Sequence, residues 1–366
     1  MTSLRRRAAR RRGPTALWAS TSLETRGGVS SFVRSMSTTP LWTEWRVRHV
    51  ATHRDGTTLA KIAQFVVSLP KFVWCLALDR PNVVHLHVAS YGSFFRKFTL
   101  SVIARAFGVP VVVHVHGAHF HLFYANAHRV VQRAVRHMLG HSSAVIALGN
   151  TWAQRLTAIQ PAAEVLVIPN AARPAEPVRQ PNGSEPVRVL FLGRVEERKG
   201  TFCLVEAWHK MRIEHADARA ARLTIAGDGD IERARALSRE LGLEDNVDVA
   251  GWVSPVEVQG LLRSSQVLVL ASHDEGQPMA VLEAMANGLC VIASPVGGIP
   301  DLIDDSCGIL VPPGDVARLA GALGEIVRDE QIRRHLGAAA LKRVRDEFDI
   351  DVVWRKFDQL YREVGG

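Results

Sequence analysis

The sequence predicts an α/β protein made of two doubly wound, Rossmann-like domains. Short runs rich in β-branched residues alternate with longer segments of helical periodicity, which is typical of parallel sheets covered by helices. The alternation stops after residue 171 and restarts at residue 188, and the stretch between is rich in Pro, Glu, Arg, Asn and Gly. A chain of 366 residues is long enough for two cores of ordinary size. We therefore predict domains over 15–171 and 188–349, joined by a linker over 172–187 and followed by a helix over 350–366.

Each half contains its own set of predicted strands. Those of the first half cover 83–87, 111–116, 144–148 and 165–168, and a short apolar run at 16–19 precedes them. Those of the second half cover 187–193, 223–227, 247–251, 267–271 and 291–294. Helical periodicity predicts helices between them, including 95–107, 126–139 and 202–211. Ligands of such sheets bind at the carboxyl ends of the strands, so we expect the two domains to face each other across a ligand-binding cleft.

The composition is that of a soluble globular protein, with 47% hydrophobic and 22% charged residues. The four cysteines are scattered without Cys-x-x-Cys spacing, which predicts reduced core thiols in a cytosolic protein rather than disulfides or a zinc site. The most apolar window, residues 62–78, contains Pro70 and Lys71. We expect it to be too short to span a bilayer, and no transmembrane helix is predicted.

The net charge of +9 requires an explanation in terms of partners. Part of it comes from an arginine-rich run over residues 5–12, which predicts a disordered basic tail over 1–14. Contact with an anionic membrane surface and a transit peptide are two functional alternatives for this tail. A nucleic-acid-binding protein would cluster basic residues with stacking aromatics on one face, whereas this run contains no aromatic residue.

Two carboxylates within residues 274–288 form the first candidate site. Pro278 suits a first helical position and Gly288 suits a left-handed stop, so a helix is predicted between them. Glu275 then precedes the helix, beside its N-terminal N–H groups, and Glu283 lies one to two turns inside it. A loop carboxylate, a helix N-terminus and a second carboxylate suit a long polar ligand with an anionic part.

Two cations follow the first strand of the second half. Gly193 and Arg194 stand at its carboxyl end, and Lys199 precedes the next helix. Arg can bind a diphosphate through two donors, and Lys can bind it as a point charge. A solvated basic turn is the alternative, and the carboxylate pair in the same half of the chain argues against it.

The first half of the chain offers weaker signals. Gly27 and Gly28 stand before a predicted helix, where glycines let the backbone approach a phosphate closely, although most such pairs are ordinary turns. Histidines two residues apart, at 85 and 87 and at 114 and 116, share a strand face, so a metal site must be considered. No carboxylate or cysteine completes the ligand set, and we predict no metal site.

With these elements in order, the chain resembles the family 4 retaining glycosyltransferases of GT-B fold. The resemblance is strong from about residue 189 to residue 311. It is carried by Gly193-Arg194 with Lys199-Gly200, Ala226-Gly227-Asp228-Gly229, Gly251-Trp252-Val253-Ser254, Glu275 with Glu283, Val296-Gly297-Gly298-Ile299-Pro300-Asp301, and the run from Gly308 to Asp315. In the first half Gly27-Gly28-Val29 and the run from His116 to Phe120 match. Residues 85–90 resemble those of the bacterial exopolysaccharide branch.

The resemblance implies a role for each matching residue. Arg194 and Lys199 would hold the nucleotide diphosphate and stabilise the charge that develops as it leaves. Glu275 would bind hydroxyls of the donor sugar, Glu283 would accept from the ribose, and His116 would contact the donor sugar near the reacting carbon. The implied catalytic residues are thus His116, Arg194, Lys199 and Glu275. Further donor contacts would come from Gly28, Gly193, Trp252, Val253, Gly276, Gln277, Pro278, Met279 and Ala280. Acceptor contacts would come from Ser90, His119 and Tyr124.

The implied activity is retaining transfer of a hexosyl unit from a UDP- or GDP-sugar to a lipid-linked or oligosaccharide acceptor, without a metal or other cofactor. It suggests synthesis of a bacterial exopolysaccharide or envelope glycan. The enzyme would be cytoplasmic and peripherally bound to the inner face of the plasma membrane, with no nucleic-acid partner. The last helix would cross back to the first domain.

Three alternatives to this activity stay open. One is a sugar-nucleotide epimerase or hydrolase of the same fold, the second is a basic nucleic-acid-binding protein, and the third is an inactive interaction protein. On the transferase hypothesis, Glu275→Ala or Lys199→Ala should abolish transfer with the fold intact.

Overall fold

The computed structural model describes residues 13–182, 185–215 and 220–365, so residues 1–12 of the predicted basic tail lie outside the described residues. The chain divides into two compact units. One unit contains the chain up to Ala171 together with the segment from Ile350, and the other is Ala172–Asp349. The four cysteines are free and buried.

The first unit is built on a parallel sheet with the strand order β2-β1-β3-β4-β5-β6. Its strands are β1 (Ala16–Ser20), β2 (Arg48–Ala51), β3 (Val83–Val88), β4 (Val111–Val115), β5 (Ala144–Ala147) and β6 (Val165–Val167). β1, β3, β4 and β5 are buried along their whole length, because helices cover such parallel sheets on both faces. The sequence did not predict β2, an edge strand that begins with the polar residues Arg48 and His49.

Helices cover both faces of this first sheet. They are α1 (Gly28–Met36), α2 (Pro40–Glu44), α3 (Thr58–Trp74, continued by a π-helix over Cys75–Asp79), α4 (Gly92–Ala106), α5 (Phe120–Asn126), α6 (Arg129–Gly140) and α7 (Asn150–Ile159). One core joins α3, α4, α6 and α7 to the sheet through residues such as Phe72, Phe94 and Trp152. The helix predicted over 126–139 begins three residues later, at Arg129, and ends at Gly140, because the chain leaves the helical conformation at Ala127 and His128.

The opposite face of the first sheet receives the C-terminal helix α14 (Ile350–Gly365), which contacts α1, α2 and β3. Phe357 and Tyr361 of this helix are fully buried. Trp45 Nε1 donates a hydrogen bond to Asp358 Oδ1 at 2.8 Å. The aromatic stripe of the last helix therefore packs on the first unit.

Among the described residues one helix, Thr58–Asp79, is long and apolar enough to cross a bilayer by length and composition alone. It has 22 residues, and only 22% of its most apolar window is buried. The expectation that this window is too short is therefore wrong, because the helix starts before residue 62 and continues through Pro70. Proline leaves the carbonyl four residues earlier without a donor, and that residue, Val66, is 60% exposed.

The second unit repeats the architecture on a sheet of order β12-β11-β10-β7-β8-β9. Its strands are β7 (Arg188–Leu192), β8 (Arg222–Ala226), β9 (Val247–Gly251), β10 (Val267–Leu270), β11 (Cys290–Ala293) and β12 (Ile309–Leu310). Its helices are α8 (Thr201–Glu214), α9 (Ile231–Glu240), α10 (Pro255–Ser264), α11 (Met279–Ala286), α12 (Val316–Arg328) and α13 (Glu330–Arg343, continued by a π-helix over Val344–Phe348). All pairs within this sheet are parallel.

The described residues of the segment predicted as a linker, 172–182 and 185–187, belong to the second unit. Ala175 N donates to Ala286 O at 2.8 Å, and Val178 N donates to Asn287 O at 3.0 Å. Gln180 Oε1 accepts from the buried Arg333 at 3.0 Å. This polar segment is therefore hydrogen-bonded to the end of α11.

Candidate active site

The strand order of the second sheet reverses direction between β7 and β10. From β7 the chain proceeds outward through β8 to β9, then returns to place β10 on the other side of β7. Such a reversal opens a crevice at the carboxyl ends of the two central strands, where α/β proteins bind their ligands. Arg194 and Lys199 follow β7, and Glu275 follows β10. The residues that the sequence separates by about eighty positions therefore meet at this edge.

Lys199 and Glu275 form an ion pair at the reversal. The Lys199 Nζ to Glu275 Oε1 distance is 2.6 Å, and the two side chains are only 17% and 6% exposed. Ser272 Oγ donates to the same carboxylate oxygen at 2.7 Å. A charged hydrogen bond that is shielded from water is strong and directional. The carboxylate is therefore held in one orientation before any ligand binds.

The two loops that carry this ion pair are also joined through their backbones. His273 N donates to Arg198 O at 2.8 Å, and the Arg198 guanidinium donates to Asp274 O at 3.2 Å. Gly297 packs on the other side, with a φ of +56°, and a Cβ at this position would lie 1.7 Å from Glu275 O. Only glycine fits there. The Glu275 backbone is thus fixed from two sides.

Arg194 differs from Lys199 in its exposure. Its side chain is 63% exposed, and its Nε lies 3.3 Å from Glu196 Oε2. Glu196 also accepts from Arg198 at 2.6 Å. Exposed ion pairs contribute about 0–1 kcal/mol, so the Arg194 guanidinium can exchange this partner for an anionic ligand at little cost.

The helix α11 begins one residue later than predicted. Pro278 is its N-cap, with an extended ψ of 123°, and no side chain caps the helix. Its first N–H groups are therefore available for an anion. Gly288 has a φ of +71°, which agrees with the predicted left-handed stop. Glu283 lies half-buried on the fifth residue of α11.

The remaining donor-binding candidates of the second unit divide by exposure. Gln277, Pro278 and Met279 are buried, whereas Gly193, Gly276, Ala280 and Val253 are half-buried. Trp252 follows β9 directly and is 49% exposed. A large aromatic surface at the carboxyl end of a strand offers a platform on which a base can stack.

In the first unit His116 follows β4 and is fixed by a neighbouring histidine. Its Nε2 lies 2.9 Å from His87 Nδ1, and its N donates to Val88 O at 2.8 Å. Burial, together with the positive charge of Lys97, lowers the pKa of His116 to about 3. The imidazole is therefore neutral near pH 7 and can form hydrogen bonds but carries no charge.

The acceptor-binding candidates lie close to His116 in sequence and in the fold. Ser90 follows β3, and a Cβ on Gly117 would lie 3.2 Å from its Oγ. The Ser90 Oγ is buried and has no hydrogen-bond partner among the described residues. His119 is the N-cap residue of α5, and Tyr124 lies within that helix. A hydroxyl without a partner beside a glycine turn is a suitable contact for a sugar hydroxyl.

Gly28 opens helix α1 at the carboxyl end of β1. Gly27 before it has a φ of +122°, and a Cβ built on it would meet nothing within 4 Å. No side chain caps this helix. The strand order also reverses between β1 and β3, so α1 begins at the switch point of the first sheet.

Three buried histidines, His85, His87 and His114, bring ring nitrogens within 4.8 Å of one another. Burial lowers the pKa of each well below its ordinary value, so the rings are neutral and suited to metal ligation. Four of their six ring nitrogens have hydrogen-bond partners, whereas His87 Nε2 and His114 Nε2 are buried without one among the described residues. His85 bonds to the Tyr361 hydroxyl and, at 3.2 Å, to His114 Nδ1. We interpret the cluster as a packed aromatic network, and metal independence stays a prediction.

The structure adds residues that the sequence did not point to. Ser272 orients Glu275, and His87 holds His116. Lys97 is buried, its Nζ lies 2.6 Å from Thr52 Oγ1, and burial with the nearby Arg96 lowers its pKa to about 7. A small polar residue just after a strand was the only sequence signal for Ser272, and such residues are too common to be informative.

Two family models match the chain. The model described as "Glycosyl transferase 4-like domain" matches residues 32–171, and the model described as "Glycosyl transferases group 1" matches residues 186–329. The first match lies within the first unit and the second match within the second unit. Together they cover most of the chain.

Curated relatives of the chain are named as glycosyltransferases. The amylovoran biosynthesis glycosyltransferase AmsK of Erwinia amylovora is 27% identical over 346 residues, which cover 84% of this chain and 83% of AmsK. The 2-deoxystreptamine N-acetyl-D-glucosaminyltransferase of Streptomyces fradiae is 28% identical over 309 residues, covering 78% and 72% of the two chains.

Solved structures share the fold. Sucrose-phosphate synthase from Thermosynechococcus elongatus superposes with a TM-score of 0.78 at 21% identity, over 96% of this chain and 99% of that one. Anabaena Alr3699/HepE, in complex with UDP and glucose, gives a TM-score of 0.74 at 18% identity, over 96% and 100%. The chain therefore belongs to the family 4 glycosyltransferases of GT-B fold, with a glycosyl transferase 4-like domain in its first unit and a group 1 domain in its second.

Proposed function

We propose that the protein transfers a hexosyl unit from a nucleoside-diphosphate sugar to a lipid-linked or oligosaccharide acceptor, with retention of anomeric configuration and without a metal. UDP- and GDP-sugars are the preferred donors in this proposal. The observation that carries it is the buried Lys199–Glu275 ion pair at the strand-order reversal of the second sheet. Anabaena Alr3699/HepE, which shares the fold, was solved with UDP-glucose, and this supports the choice of donor class.

The second unit supplies the donor contacts in this proposal. The diphosphate of a nucleoside-diphosphate sugar carries one negative charge on each phosphate, and the guanidinium of the exposed Arg194 and the ammonium of Lys199 match these charges. The uncapped N-terminus of α11 adds further N–H donors for the phosphate. Glu275 then binds sugar hydroxyls, and Glu283 binds the ribose. Trp252 and Val253 flank the base.

In this proposal Arg194 and Lys199 also assist cleavage of the bond between the sugar and the diphosphate. Bond cleavage leaves an additional negative charge on the diphosphate, and cations that are already oriented stabilise that charge without reorganising. Retention follows from attack of the acceptor hydroxyl on the same face of the sugar, with the leaving phosphate accepting its proton. His116 is neutral and contacts the transferred sugar by hydrogen bonding, while Ser90, His119 and Tyr124 contact the acceptor.

The biological setting proposed is exopolysaccharide or envelope glycan synthesis at the inner face of the plasma membrane. The relative AmsK acts in amylovoran biosynthesis, which supports a polysaccharide pathway. Arg129, Arg133 and Arg136 are all exposed on α6 and favour contact with anionic lipid headgroups. The arginine-rich tail over residues 1–14 would add to that attraction, although residues 1–12 lie outside the described part of the chain.

A hydrolase or epimerase of the same fold remains the second candidate within enzymes. Glu275 is already engaged by Lys199 and Ser272, so it is poorly placed to act as a proton donor. This favours a binding role for the carboxylate over general acid catalysis. Product analysis separates the candidates, since a hydrolase releases free sugar and an epimerase changes the sugar of the nucleotide.

A thermal-shift screen against UDP-, GDP- and ADP-sugars tests the donor assignment. A ligand at 100 times its dissociation constant stabilises the folded state by about 2.7 kcal/mol. We expect one nucleotide class to raise the melting temperature, and Lys199→Met to remove that shift. NMR of the product from the matching donor and an oligosaccharide acceptor then reports the anomeric configuration. No shift with any sugar nucleotide, or an inverted product, would contradict the proposal.

A further inference from the structure

The outer side of helix α3 is apolar and exposed. Six large residues stand on it at intervals that bring them to one side of the helix, and we name them the apolar ridge. They are Leu59, Ile62, Val66, Val67, Trp74 and Leu78, with exposed fractions of 79%, 55%, 60%, 72%, 67% and 60%. At about 1.5 Å per residue the ridge is about 28 Å long. Continuous apolar surface of this extent on a folded protein indicates an interaction site.

The inner side of the same helix is apolar as well and belongs to the core. Phe72, Cys75 and Leu76 are at most 6% exposed and pack with residues of the sheet and of α4. A helix that is apolar on all sides normally has apolar surroundings on all sides. On one side of α3 the sheet provides apolar surroundings. On the other side no described residue covers the apolar side chains.

The part of the chain that contains the ridge and the helices of the same layer is strongly basic. Asp79 is the only acidic residue in the whole stretch 56–163, against ten Lys and Arg. Those cations are Lys61, Lys71, Arg80, Arg96, Lys97, Arg105, Arg129, Arg133, Arg136 and Arg155. All of them except Lys97 are at least partly exposed. This distribution of charge complements an anionic surface.

The neighbouring helices extend the exposed apolar surface. α4 contacts both α3 and α6, and the three helices share one core on the same side of the sheet. α4 exposes Phe95 and Val102 by 49% and 45%, and α6 exposes Val130 by 63%. In the second unit only Ile213, Trp252 and Val256 are comparably exposed among the described residues. Exposed large apolar residues are therefore concentrated in the first unit.

We propose that the apolar ridge inserts into the headgroup and acyl boundary of an anionic bilayer, with α3 lying in the membrane plane. The proposal deepens the function proposed above and rests on it for the lipid-linked acceptor. A spanning orientation is disfavoured because Phe72, Cys75 and Leu76 would have to leave the core that they complete. The mixture of an apolar face, an exposed tryptophan and flanking cations is typical of interfacial helices.

Sedimentation with vesicles of equal parts phosphatidylcholine and phosphatidylglycerol tests the insertion. Val67→Glu and Trp74→Glu each place a carboxylate on the ridge, and each should lower vesicle binding by about tenfold or more. Val256→Glu is the matched control, because Val256 is 82% exposed on helix α10 of the second unit and its replacement should leave binding unchanged. Vesicles of phosphatidylcholine alone should bind the wild-type chain more weakly. Circular dichroism and melting temperature identify a variant that fails to fold.

Several results would overturn the inference. If Val67→Glu and Trp74→Glu fold and bind vesicles as well as the wild-type chain does, the ridge does not contact the membrane. A wild-type dimer that Val67→Glu converts to a monomer, with vesicle binding unchanged, would assign the ridge to a second copy of the chain. Protein that alkaline carbonate cannot extract from the vesicles would indicate a spanning helix instead.

Donor binding separates the failure of this inference from failure of the proposed function. Lys199→Met should lose the thermal shift with sugar nucleotides but bind vesicles as well as the wild-type chain does. Val67→Glu should keep the thermal shift and lose vesicle binding. A wild-type chain that binds no sugar nucleotide but inserts through the ridge would refute the proposed function alone.

Discussion

The ion pair between Lys199 and Glu275 allows stability and activity to be separated in one experiment. Replacing Lys199 with Met removes the ammonium and leaves a carboxylate that is 6% exposed and still accepts a hydrogen bond from Ser272 Oγ. Removing one partner of a buried ion pair costs about 3–5 kcal/mol, since the other charge stays buried and uncompensated. The sequence alone led to the expectation that Lys199→Ala leaves the fold intact. The burial of the pair predicts a measurable loss of stability as well.

The size of the effect follows from the exposure of each partner. We expect Lys199→Met to lower the free energy of unfolding by about 3 kcal/mol, which for a unit of this size lowers the melting temperature by about 6–12 °C. Glu275→Gln should cost less, because the Lys199 side chain is 17% exposed and can recruit water. The double variant Lys199→Met with Glu275→Gln has no buried charge at this position, so its stability should return to within about 1 kcal/mol of the wild-type value.

Activity should not return with stability. Loss of one preorganised electrostatic contact typically costs about a hundredfold to a thousandfold in turnover, and the double variant lacks two. Urea unfolding and thermal melting measure stability, and transfer from the donor found in the screen measures turnover. A change below about 0.5 kcal/mol in both single variants would show that the pair is not a buried ion pair. Near-wild-type turnover in the double variant would refute the assignment of the site.

Three further predictions concern buried groups. Lys97 has a folded-state pKa of about 7 against an ordinary 10.5, so the unfolded chain binds more protons between these values and stability should rise with pH across that window. Lys97→Met should remove this rise and increase the free energy of unfolding at pH 7 by up to about 4 kcal/mol. Urea unfolding at several pH values measures both effects. A variant whose stability depends on pH as that of the wild-type chain does would contradict the prediction. The pKa of His116 is lowered to about 3, so its ring should stay neutral between about pH 5 and 8. The pH profile of turnover of His116→Gln should therefore have the same shape as that of the wild-type chain over this range. A decrease in turnover at acidic pH that occurs only in the wild-type chain would be inconsistent with a neutral ring. Transfer should continue after dialysis against EDTA, whereas a loss that zinc restores would assign a metal to His85, His87 and His114.

The fold could be predicted largely from the sequence because buried parallel strands are encoded locally. Runs dominated by Val and Leu, such as 111–115 and 267–270, are buried along their whole length, so their composition alone identifies them. The edge strand β2 escaped prediction since only Val50 of its four residues is buried. The helix through Pro70 was also missed, because the surroundings of a proline decide whether it ends a helix.

The candidate site could be predicted in part. Arg194, Lys199, Glu275 and Glu283 are recognisable from their positions relative to strand ends and helix starts. Their partners are not, because hydrogen bonds between distant segments leave no local pattern. The roles of Ser272 and His87 depend on which strands become neighbours, and that is decided by the order of strands in each sheet.

The sequence by itself determined the class of fold, the positions of most strands, the aromatic stripe of the last helix and the charged groups that follow β7 and β10. These depend on residue type and periodicity, which act within one element. Only the tertiary structure decided that Lys199 and Glu275 form a buried pair and that α3 turns an apolar face outward. Both depend on which surfaces remain covered after the elements pack, and an apolar residue has the same letter in the sequence whether it faces the core or the solvent.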